Sequence, residues 1–331
     1  MTTPSAALAP AERAVQLLGS DLSEVALRQH LEGLPTVDAV GLEARAAGLG
    51  TRSIKTSSKR AALDLVIRMI DLTTLQGADT RGKVHSLVAK ALVPDASDPS
   101  TPRPAAVCVY GDMVGNAVDA LGSAWSAGKD DGINVAAVAT AFPAGRASLP
   151  VKLQDTRDAV AAGADEIDMV IDRGAFLAGR DQEVFEEIVA VKEACGDARL
   201  KVILETGELG TLDNVAAASR LALAAGPDFI KTSTGKIKPA ATMDVTLVML
   251  EAIREHYLET GERIGMKPAG GIRTAKQSLH YLVMLAETLG ADWMTPQWFR
   301  FGASSVVNDL LHQIARRGDG HYASPRRFSV A

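Results

Sequence analysis

The chain has 331 residues, of which 47% are hydrophobic and 23% charged, a composition typical of a globular enzyme with one large barrel or two medium domains. The net charge of −5 disfavours nucleic acid as a partner, because an acidic surface does not attract polyanions over long range. No apolar run approaches the roughly 20 residues that a membrane span needs, so we expect no membrane partner.

The cysteines, the histidines and the N-terminus indicate the cellular compartment of the protein and whether it binds a metal. Cys108 and Cys195 form neither a disulfide framework nor a CxxC pair, which is typical of a reducing compartment. The N-terminus lacks the charged-then-apolar layout of a signal peptide, so we expect a cytoplasmic location. The six histidines show no HxH or HExxH spacing, which disfavours a zinc site, and we predict no metal.

Residues 1–60 are predicted to form an N-terminal helical extension and linker. Segments 10–18 and 22–31 have the pattern of two short amphipathic helices, and Pro10 suits the first position of a helix. Segment 51–60 is polar and lacks apolar periodicity. This composition favours a solvated linker over a phosphate-binding patch, which is the alternative.

Between residues 61 and 318, short β-branched runs alternate with helix-period segments, and 319–331 form a tail. The predicted strands are 66–72, 106–110, 134–140, 166–171, 201–206, 228–232, 264–268 and 291–295. Two of the intervening helices are predicted to begin after Asp112 and Thr274. Eight βα units in about 250 residues predict a closed (β/α)8 TIM barrel, with an open doubly wound sheet as the alternative.

Two lysines at predicted strand ends indicate a nucleophile. Lys231 follows two apolar residues in the sixth run, and Lys267 takes the same place in the seventh. Because adjacent strands lie about 4.8 Å apart, both amines can reach one cavity, where two ammonium groups repel each other. The less costly state has one neutral, nucleophilic amine. The alternatives are a lysine that snorkels to water and a phosphate clamp of two lysines.

Carboxylates occupy the first and fourth runs. Glu166 and Asp168 share one face of the fourth strand, because side chains alternate along a strand. If Asp168 lies near Lys267, the two can form a lysine–carboxylate proton relay. The alternative is that Asp168 only neutralises the charge of one lysine. Asp71 is predicted to contact a substrate hydroxyl or to cap the following turn. The ETGE segment at 205–208 is predicted to form a hydrogen-bonding loop under the pocket.

Glycine and serine follow the last two runs. Gly270 and Gly271 come after the seventh run, and Ser304 and Ser305 open a helical segment after the eighth. Glycine lets backbone N–H groups approach an anion, and a helix N-terminus adds partial positive charge. Barrel enzymes often bind phosphate between loops seven and eight, the loops that follow the seventh and eighth strands. We therefore predict a phosphate site here, with two ordinary turns as the alternative. Further contacts are predicted from Thr234, Lys236 and Arg273.

Six motifs, in order, resemble the 2-deoxyribose-5-phosphate aldolase family over roughly residues 60–318. They are IDLTTL (70–75), EIDMV (166–170), ETGEL (205–209), FIKTSTGK (229–236), KPAGGIR (267–273) and RFGASS (300–305). Together these motifs are highly specific. The long N-terminal segment is more similar to the longer, eukaryotic-style members than to the short bacterial ones.

The resemblance implies a class I aldolase, a carbon–carbon lyase with no metal and no cofactor, whose partner is a small sugar phosphate. In this comparison Lys231 matches the Schiff-base lysine, Lys267 the lysine that perturbs it, and Asp168 the relay carboxylate. The positions that match substrate or phosphate contacts are Asp71, Cys108, Gly271, Ser304 and Ser305, with Thr234, Lys236 and Arg273 nearby. A homo-oligomer is expected, with a dimer as one form.

A few positions depart from the family pattern or keep two interpretations. Met266 replaces a frequent Phe, and Tyr110-Gly111 replaces a frequent Tyr-Pro, but neither change alters a reacting group. Family members often carry a C-terminal tyrosine implicated in proton transfer, and whether Tyr322 takes that place is open. Cys108 is either a core cysteine or a thiol that an enal, formed from acetaldehyde, inactivates. The rival functions are a phosphate-binding barrel isomerase or synthase and a non-catalytic sugar-phosphate sensor.

Overall fold

A computed structural model describes residues 24–33, 35–54, 56–127, 132–319, 324 and 327–329 of the chain. Within these residues, eight parallel strands form one sheet. They are β1 (Ile70–Thr73), β2 (Ala106–Tyr110), β3 (Asn134–Ala139), β4 (Glu166–Val170), β5 (Arg199–Ile203), β6 (Phe229–Lys231), β7 (Gly265–Lys267) and β8 (Phe301–Ala303). Each strand pairs with the next along the chain as far as β7, and β8 pairs with β1.

Contacts between β7 and β8 complete the ring of strands. Isolated bridges join Met266 to Phe299 and Ala269 to Gly302, and the Arg300 N–H donates to the Met266 carbonyl at 3.0 Å. The predicted (β/α)8 barrel is therefore confirmed, and the open-sheet alternative is wrong.

Helices lie between the strands and pack around the barrel. The helices before β1 are α1 (Glu24–Glu32), α2 (Ala39–Gly50) and α3 (Thr56–Arg68). Those that follow are α4 (Arg81–Leu92), α5 (Val114–Leu121), α6 (Leu149–Ala161), α7 (Arg173–Leu177), α8 (Asp181–Cys195), α9 (Leu212–Ala224), α10 (Met243–Thr260), α11 (Ala275–Thr288) and α12 (Val306–Asp319). In the part of the chain that the structure describes, no helix has the length and apolarity to cross a membrane.

Threonine side chains cap α4, α9, α10 and α11, each of which follows a strand. Each hydroxyl accepts a hydrogen bond from the backbone N–H three residues on, which contributes about 1 kcal/mol. The capping residues are Thr80, Thr211, Thr242 and Thr274. The predicted start of α11 after Thr274 is confirmed, with a capping box to Gln277. The helix predicted after Asp112 is also confirmed, as α5, which begins at Val114. Asp112 itself lies in a 3₁₀ turn and does not cap this helix, so the N-cap expected at Asp112 is wrong.

Alternation along the strands separates the hydrophobic core from the barrel interior. On β2, Val107 and Val109 join the large apolar cluster that also contains the buried faces of the helices, whereas Cys108 does not. On β4, Ile167 and Met169 belong to the same large cluster, and the residues between them point the other way. The charged residues of the strands therefore lie inside the barrel.

Two predicted strands differ from the observed ones. Residues 66–68 are the last turn of α3, because Leu63, Val66 and Ile67 recur at helical spacing and are all buried. This helix also begins inside the segment 51–60 that was predicted to be a linker. Residues 291–295 hold a 3₁₀ turn, and the eighth strand lies further on, in the RFGASS motif. The other six predicted strands overlap the observed ones.

The described part of the N-terminal extension packs on the outside of the barrel. Leu27 of α1 is buried in the large apolar cluster, and the Val37 N–H donates to Asp213 of α9 at 2.7 Å. The helix predicted at 22–31 is confirmed in the described residues, whereas the helix predicted at 10–18 lies outside them.

Part of the C-terminal tail lies against α12. Phe328 is buried, with its ring 4.9 Å from the ring of His312, and the Ser329 carbonyl accepts from Asn308 at 3.1 Å. Tyr322, whose place in the site the sequence left open, lies outside the described residues.

Candidate active site

The three residues predicted to catalyse meet inside the barrel. Lys231 ends β6, Lys267 ends β7, and the strand register pairs them side by side. The Nζ atoms of Lys231 and Lys267 lie 2.6 Å and 2.7 Å from the same oxygen, Oδ2 of Asp168 on β4. All three side chains are buried, with Lys231 3% exposed and the other two 0%. The two amines therefore share one cavity, as the interpretation of paired lysines requires.

Four further ionisable side chains join these three in one network. Asp71 comes from β1, Glu166 from β4 and Lys201 from β5, while Arg300 directly precedes β8, and all four are buried. We call the seven side chains the interior charge cluster. Its members are Asp71, Glu166, Asp168, Lys201, Lys231, Lys267 and Arg300.

Lys201 binds the oxygen of Asp168 that faces away from Lys231 and Lys267. Its Nζ lies 2.8 Å from Oδ1 of Asp168 and also contacts the carboxylate of Glu166. Oδ2 of Asp168 is thereby left to Lys231 and Lys267, and the orientation of the carboxylate is fixed from both sides.

Arg300 joins the two remaining carboxylates. Its guanidinium donates to Oδ1 of Asp71 at 2.6 Å and to Oε1 of Glu166 at 2.7 Å. The Asn134 side chain also donates to Oε1 of Glu166, at 2.6 Å. Lys267 lies 2.5 Å from Oδ2 of Asp71, so Asp71 is held between Arg300 and Lys267 rather than capping the turn that follows β1.

These contacts form a closed ring in which cations and carboxylates alternate. Each cation in the ring bridges two different carboxylates, and each carboxylate bridges two cations. We call it the charge ring; in order, its members are Arg300, Glu166, Lys201, Asp168, Lys267 and Asp71. Lys231 stands outside the ring and contacts it through Asp168. With three charges of each sign, the charge ring is neutral without Lys231.

The pairing keeps the carboxylates ionised. Burial opposes ionisation of Asp168, but the three ammonium groups around it outweigh burial and hold the pKa of Asp168 well below its usual range. Burial also opposes ionisation of Glu166 and Asp71, and adjacent cations again outweigh it, so the pKa of each is lowered. All three carboxylates are therefore negative at neutral pH.

Lys231 differs electrostatically from the cations of the ring. Burial disfavours their charged forms, but the neighbouring carboxylates outweigh it and raise the pKa of Lys201, Lys267 and Arg300. At Lys231 burial is the largest influence and, with the charge of Lys267, it outweighs the attraction of Asp168, so the pKa of Lys231 is lowered. Among the three lysines of the cluster, Lys231 is thus the one most easily made neutral, which is the form that attacks a carbonyl.

One wall of the interior is apolar. It comprises a buried cluster of Leu75, Cys108, Ala136 and Val138, with Tyr110 and Phe142 packed against it. Burial raises the pKa of the Cys108 thiol, so the protonated form predominates at neutral pH. Because attack on an enal needs the thiolate, this environment disfavours the predicted inactivation of Cys108, which stays a prediction.

The loop after β5 is bonded to the loop after β6. Glu205 has a left-handed backbone, with φ of +53°, and its carboxylate accepts from the N–H of Thr234 at 3.3 Å and from its hydroxyl. The Thr234 hydroxyl in turn accepts from the Lys236 N–H at 3.1 Å, so both hydrogen-bonding directions of this hydroxyl are used within the loop. The Lys236 amine contacts the carbonyl of Leu75 after β1. The side chain of Lys236 therefore connects the loop after β6 with the loop after β1.

The segments predicted to hold phosphate lie next to each other. The Gly302 N–H donates to the Pro268 carbonyl at 2.9 Å, and the Gly270 N–H reaches the Gly302 carbonyl at 3.4 Å. Gly270 and Gly271 have φ of +82° and +85°, a region that side chains rarely adopt. The exposed side chains around this junction are Arg273, Ser304 and Ser305. The two serines directly precede α12, so the first turn of this helix begins beside the junction.

Comparison with known proteins identifies the family. Residues 65–312 match the sequence profile described as DeoC/LacD family aldolase. The chain belongs to this family. Deoxyribose-phosphate aldolases from Mus musculus and Homo sapiens are 47% and 46% identical to it, each covering 82% of this chain and 87% of the relative. A crystal structure of a Coccidioides immitis protein, 27% identical, covers 82% of this chain and 97% of that chain with a TM-score of 0.61.

The part of the chain that matches the aldolase family also builds the site. It contains all eight strands and every member of the interior charge cluster. Among the residues that the structure describes, no group of three or more His, Cys, Asp or Glu side chains is arranged to hold a metal ion.

Sequence reasoning missed Lys201 and Arg300 as site residues, although both carry a detectable signal. Each is a single cation between two large apolar residues in a strand-like run, LKV at 200–202 and FRF at 299–301. A lysine or arginine in such a place is rarely buried unless it is paired. Arg300 escaped notice because the eighth strand was predicted at 291–295.

Proposed function

We propose that the chain is a class I deoxyribose-phosphate aldolase, which reversibly cleaves 2-deoxy-D-ribose 5-phosphate to D-glyceraldehyde 3-phosphate and acetaldehyde through a Schiff base on Lys231. The observation that carries the proposal is the position of Lys231, a buried amine outside a charge ring that is already neutral. The mouse and human relatives, which are named for this activity, support the choice of substrate.

Lys231 is the nucleophile in the proposed reaction. Its amine attacks the C1 aldehyde of the open-chain sugar, and the carbinolamine loses water to give a protonated imine. The imine draws the electrons of the C2–C3 bond, which breaks as the C3 hydroxyl loses its proton and becomes the aldehyde of glyceraldehyde 3-phosphate. The enamine that remains takes a proton at C2, and hydrolysis releases acetaldehyde and the free amine.

Asp168 and Lys267 move protons in this scheme. Lys267 stays charged and can donate, and Asp168 touches both lysines through one oxygen, so a proton can pass between them directly or through a bound water. Because Oδ2 is shared in this way, the geometry favours a relay over a carboxylate that only neutralises one lysine.

The junction of loops seven and eight is the proposed phosphate site. The Gly271 N–H and the start of α12 supply donors and partial positive charge, and Ser304 and Ser305 add hydroxyls. Gly270, whose N–H donates to the Gly302 carbonyl, shapes the loop. Arg273, Lys236 and the loop that Thr234 organises lie around it. Binding there places C1 at Lys231 rather than taking part in the bond changes.

The substitution Gly270→Ala tests this phosphate site. A Cβ atom at residue 270 would lie 2.8 Å from the Cβ of Ala240, and its φ of +82° disfavours any side chain. We expect KM to rise about tenfold with little change in kcat, because the added Cβ displaces the loop that carries the Gly271 N–H and so costs about one charge-assisted hydrogen bond to phosphate. Gly48→Ala on α2 is the matched control, since a Cβ there meets nothing within 4 Å. Equal KM values for both variants and wild type would remove Gly270 from the site.

Chemical trapping tests the mechanism itself. Incubation with 2-deoxyribose 5-phosphate and sodium borohydride should reduce the imine to a stable secondary amine, and peptide mapping should find the adduct on Lys231. In parallel, the protein should release acetaldehyde, at the same rate after treatment with EDTA. An adduct on another lysine, or activity lost to the chelator, contradicts the proposal.

The same assay separates the rival functions. An isomerase or synthase would consume a sugar phosphate without a reducible adduct, and a sensor would bind the sugar phosphate without releasing acetaldehyde. We further propose a cytoplasmic location, which the two free, buried cysteines Cys108 and Cys195 support. The homo-oligomer expected from the family resemblance stays a prediction.

A further inference from the structure

We infer that Arg300, Lys201 and Glu166 are positioning residues that set the protonation of Lys231 through the charge balance of the barrel interior. None of the three takes part in the proposed bond changes. Glu166 begins β4 and Arg300 precedes β8, so both lie at the amino ends of their strands. Lys201 lies in the middle of β5, two residues before the residue that pairs with Lys231. The inference rests on the proposed nucleophile, Lys231, and adds how its amine is kept neutral.

The contacts show why Lys231 should lose its proton before the other cations. Lys267 and Arg300 each bridge two carboxylates, and Lys201 contacts three, with Asp71 at 3.8 Å as the third. Lys231 touches one, and that one already serves two other lysines. A proton on Lys231 would leave one uncompensated positive charge in a buried site, which is costly. A neutral Lys231 leaves the interior balanced.

The groups around Lys231 are those of the cluster. Asp168 faces it from β4, Lys267 from β7 and the thiol of Cys108 from β2. β3 contributes the apolar Ala136 and Val138. In the described structure the other buried charged groups inside the barrel are Asp71, Glu166, Lys201 and Arg300, and Glu205 is bonded to Thr234 in the loop above.

Charge balance makes an unusual prediction, because the direction of the effect depends on the sign of the charge removed. Arg300→Gln leaves one excess negative charge, which a proton on Lys231 can compensate, so the pKa of Lys231 should rise. Glu166→Gln leaves one excess positive charge, so the pKa of Lys231 should fall further. Loss of a group that only supports the structure would lower activity without opposite shifts.

The test is the pH dependence of kcat/KM for acetaldehyde release, which reports groups that titrate in the free enzyme. The ascending limb should move to higher pH in Arg300→Gln and to lower pH in Glu166→Gln, each by on the order of one unit, as for a unit charge nearby at the effective dielectric of a buried site. Titration of the substrate phosphate is common to all variants and cancels in the comparison.

Two further variants distinguish charge from shape. Arg300→Lys keeps the charge, so the ascending limb of its pH profile should stay where it is in the wild type. The double variant Arg300→Gln with Glu166→Gln restores the charge balance, so its ascending limb should return close to the wild-type position. If Arg300→Gln does not fold, Lys201→Gln removes the same sign of charge from the ring and should shift the limb the same way.

Shifts in one direction for both single variants, or no shift in folded protein, would overturn the inference. The inference would also be overturned if the ascending limb of the pH profile moved as far in Arg300→Lys as in Arg300→Gln. Borohydride trapping on the wild-type protein keeps this result apart from the proposed function. An adduct mapped away from Lys231 refutes the aldolase mechanism, whereas an adduct on Lys231 without opposite shifts refutes only the charge balance.

Discussion

Replacing Lys231 with leucine should abolish catalysis and leave the protein folded. We expect acetaldehyde release to fall by at least about 10⁴-fold, because the covalent intermediate cannot form, and the borohydride adduct to vanish. Since the charge ring is neutral without Lys231, the free energy of unfolding at neutral pH should change by less than about 1 kcal/mol. Leucine fills much of the space of the lysine stem without adding a polar group.

Lys267→Leu is the informative comparison, because Lys267 touches the same oxygen but belongs to the charge ring. Its loss leaves Asp71 and Asp168 short of a buried countercharge, so we expect a loss of about 3–5 kcal/mol of stability. Lys59→Leu on α3, outside the barrel, should change neither activity nor stability. Thermal or urea unfolding measures the difference. If Lys231→Leu destabilised the protein as much as Lys267→Leu, Lys231 would be carrying a needed charge, and the neutral-amine mechanism would be wrong.

Periodicity was enough to predict the barrel, because each unit repeats the same physical requirement. A buried parallel strand needs a short apolar run, and its crossover helix needs an apolar stripe, so the pattern recurs even where individual boundaries move. The prediction failed where tertiary contacts decide. Val66 and Ile67 are β-branched and apolar, as in a strand, but they continue the helical stripe of α3. The eighth strand is three residues long, and the charged Arg300 beside it interrupts the apolar run by which a buried strand is recognised.

The pairing of Lys231 and Lys267 could be predicted because one local rule places them side by side. Lys231 and Lys267 have the same position in adjacent strands, and neighbouring strands fix their separation. The charge ring follows no such rule. It joins β1, β4, β5, β7 and the residue before β8, and which cation meets which carboxylate depends on how the barrel closes. Alternation shows that Lys201 points inward, but it does not show that Lys201 binds the far side of Asp168.

The second large effect is expected for Asp168→Asn. The variant keeps the shape of the side chain but removes the carboxylate that three lysines share, so proton transfer to and from the bound intermediate should fail. We expect acetaldehyde release to fall by about 10²–10⁴-fold, the usual contribution of a positioned acid or base. Stability should fall by about 3–5 kcal/mol, because Lys201 and Lys267 each lose one of two partners.

Trapping and turnover should separate in Asp168→Asn, which decides between a relay and a simple countercharge. The attraction of Asp168 is the influence that favours the charged form of Lys231, so removing it lowers the pKa of Lys231 further and leaves the amine free to attack. The borohydride adduct on Lys231 should therefore persist while acetaldehyde release collapses. Asp165→Asn is the matched control. Asp165 accepts hydrogen bonds from Trp125 and from the Val135 N–H outside the cluster, so its loss should lower stability and spare kcat. If adduct trapping and acetaldehyde release in Asp168→Asn fell together, Asp168 would not be the relay. Its loss would then impair a step that precedes imine formation.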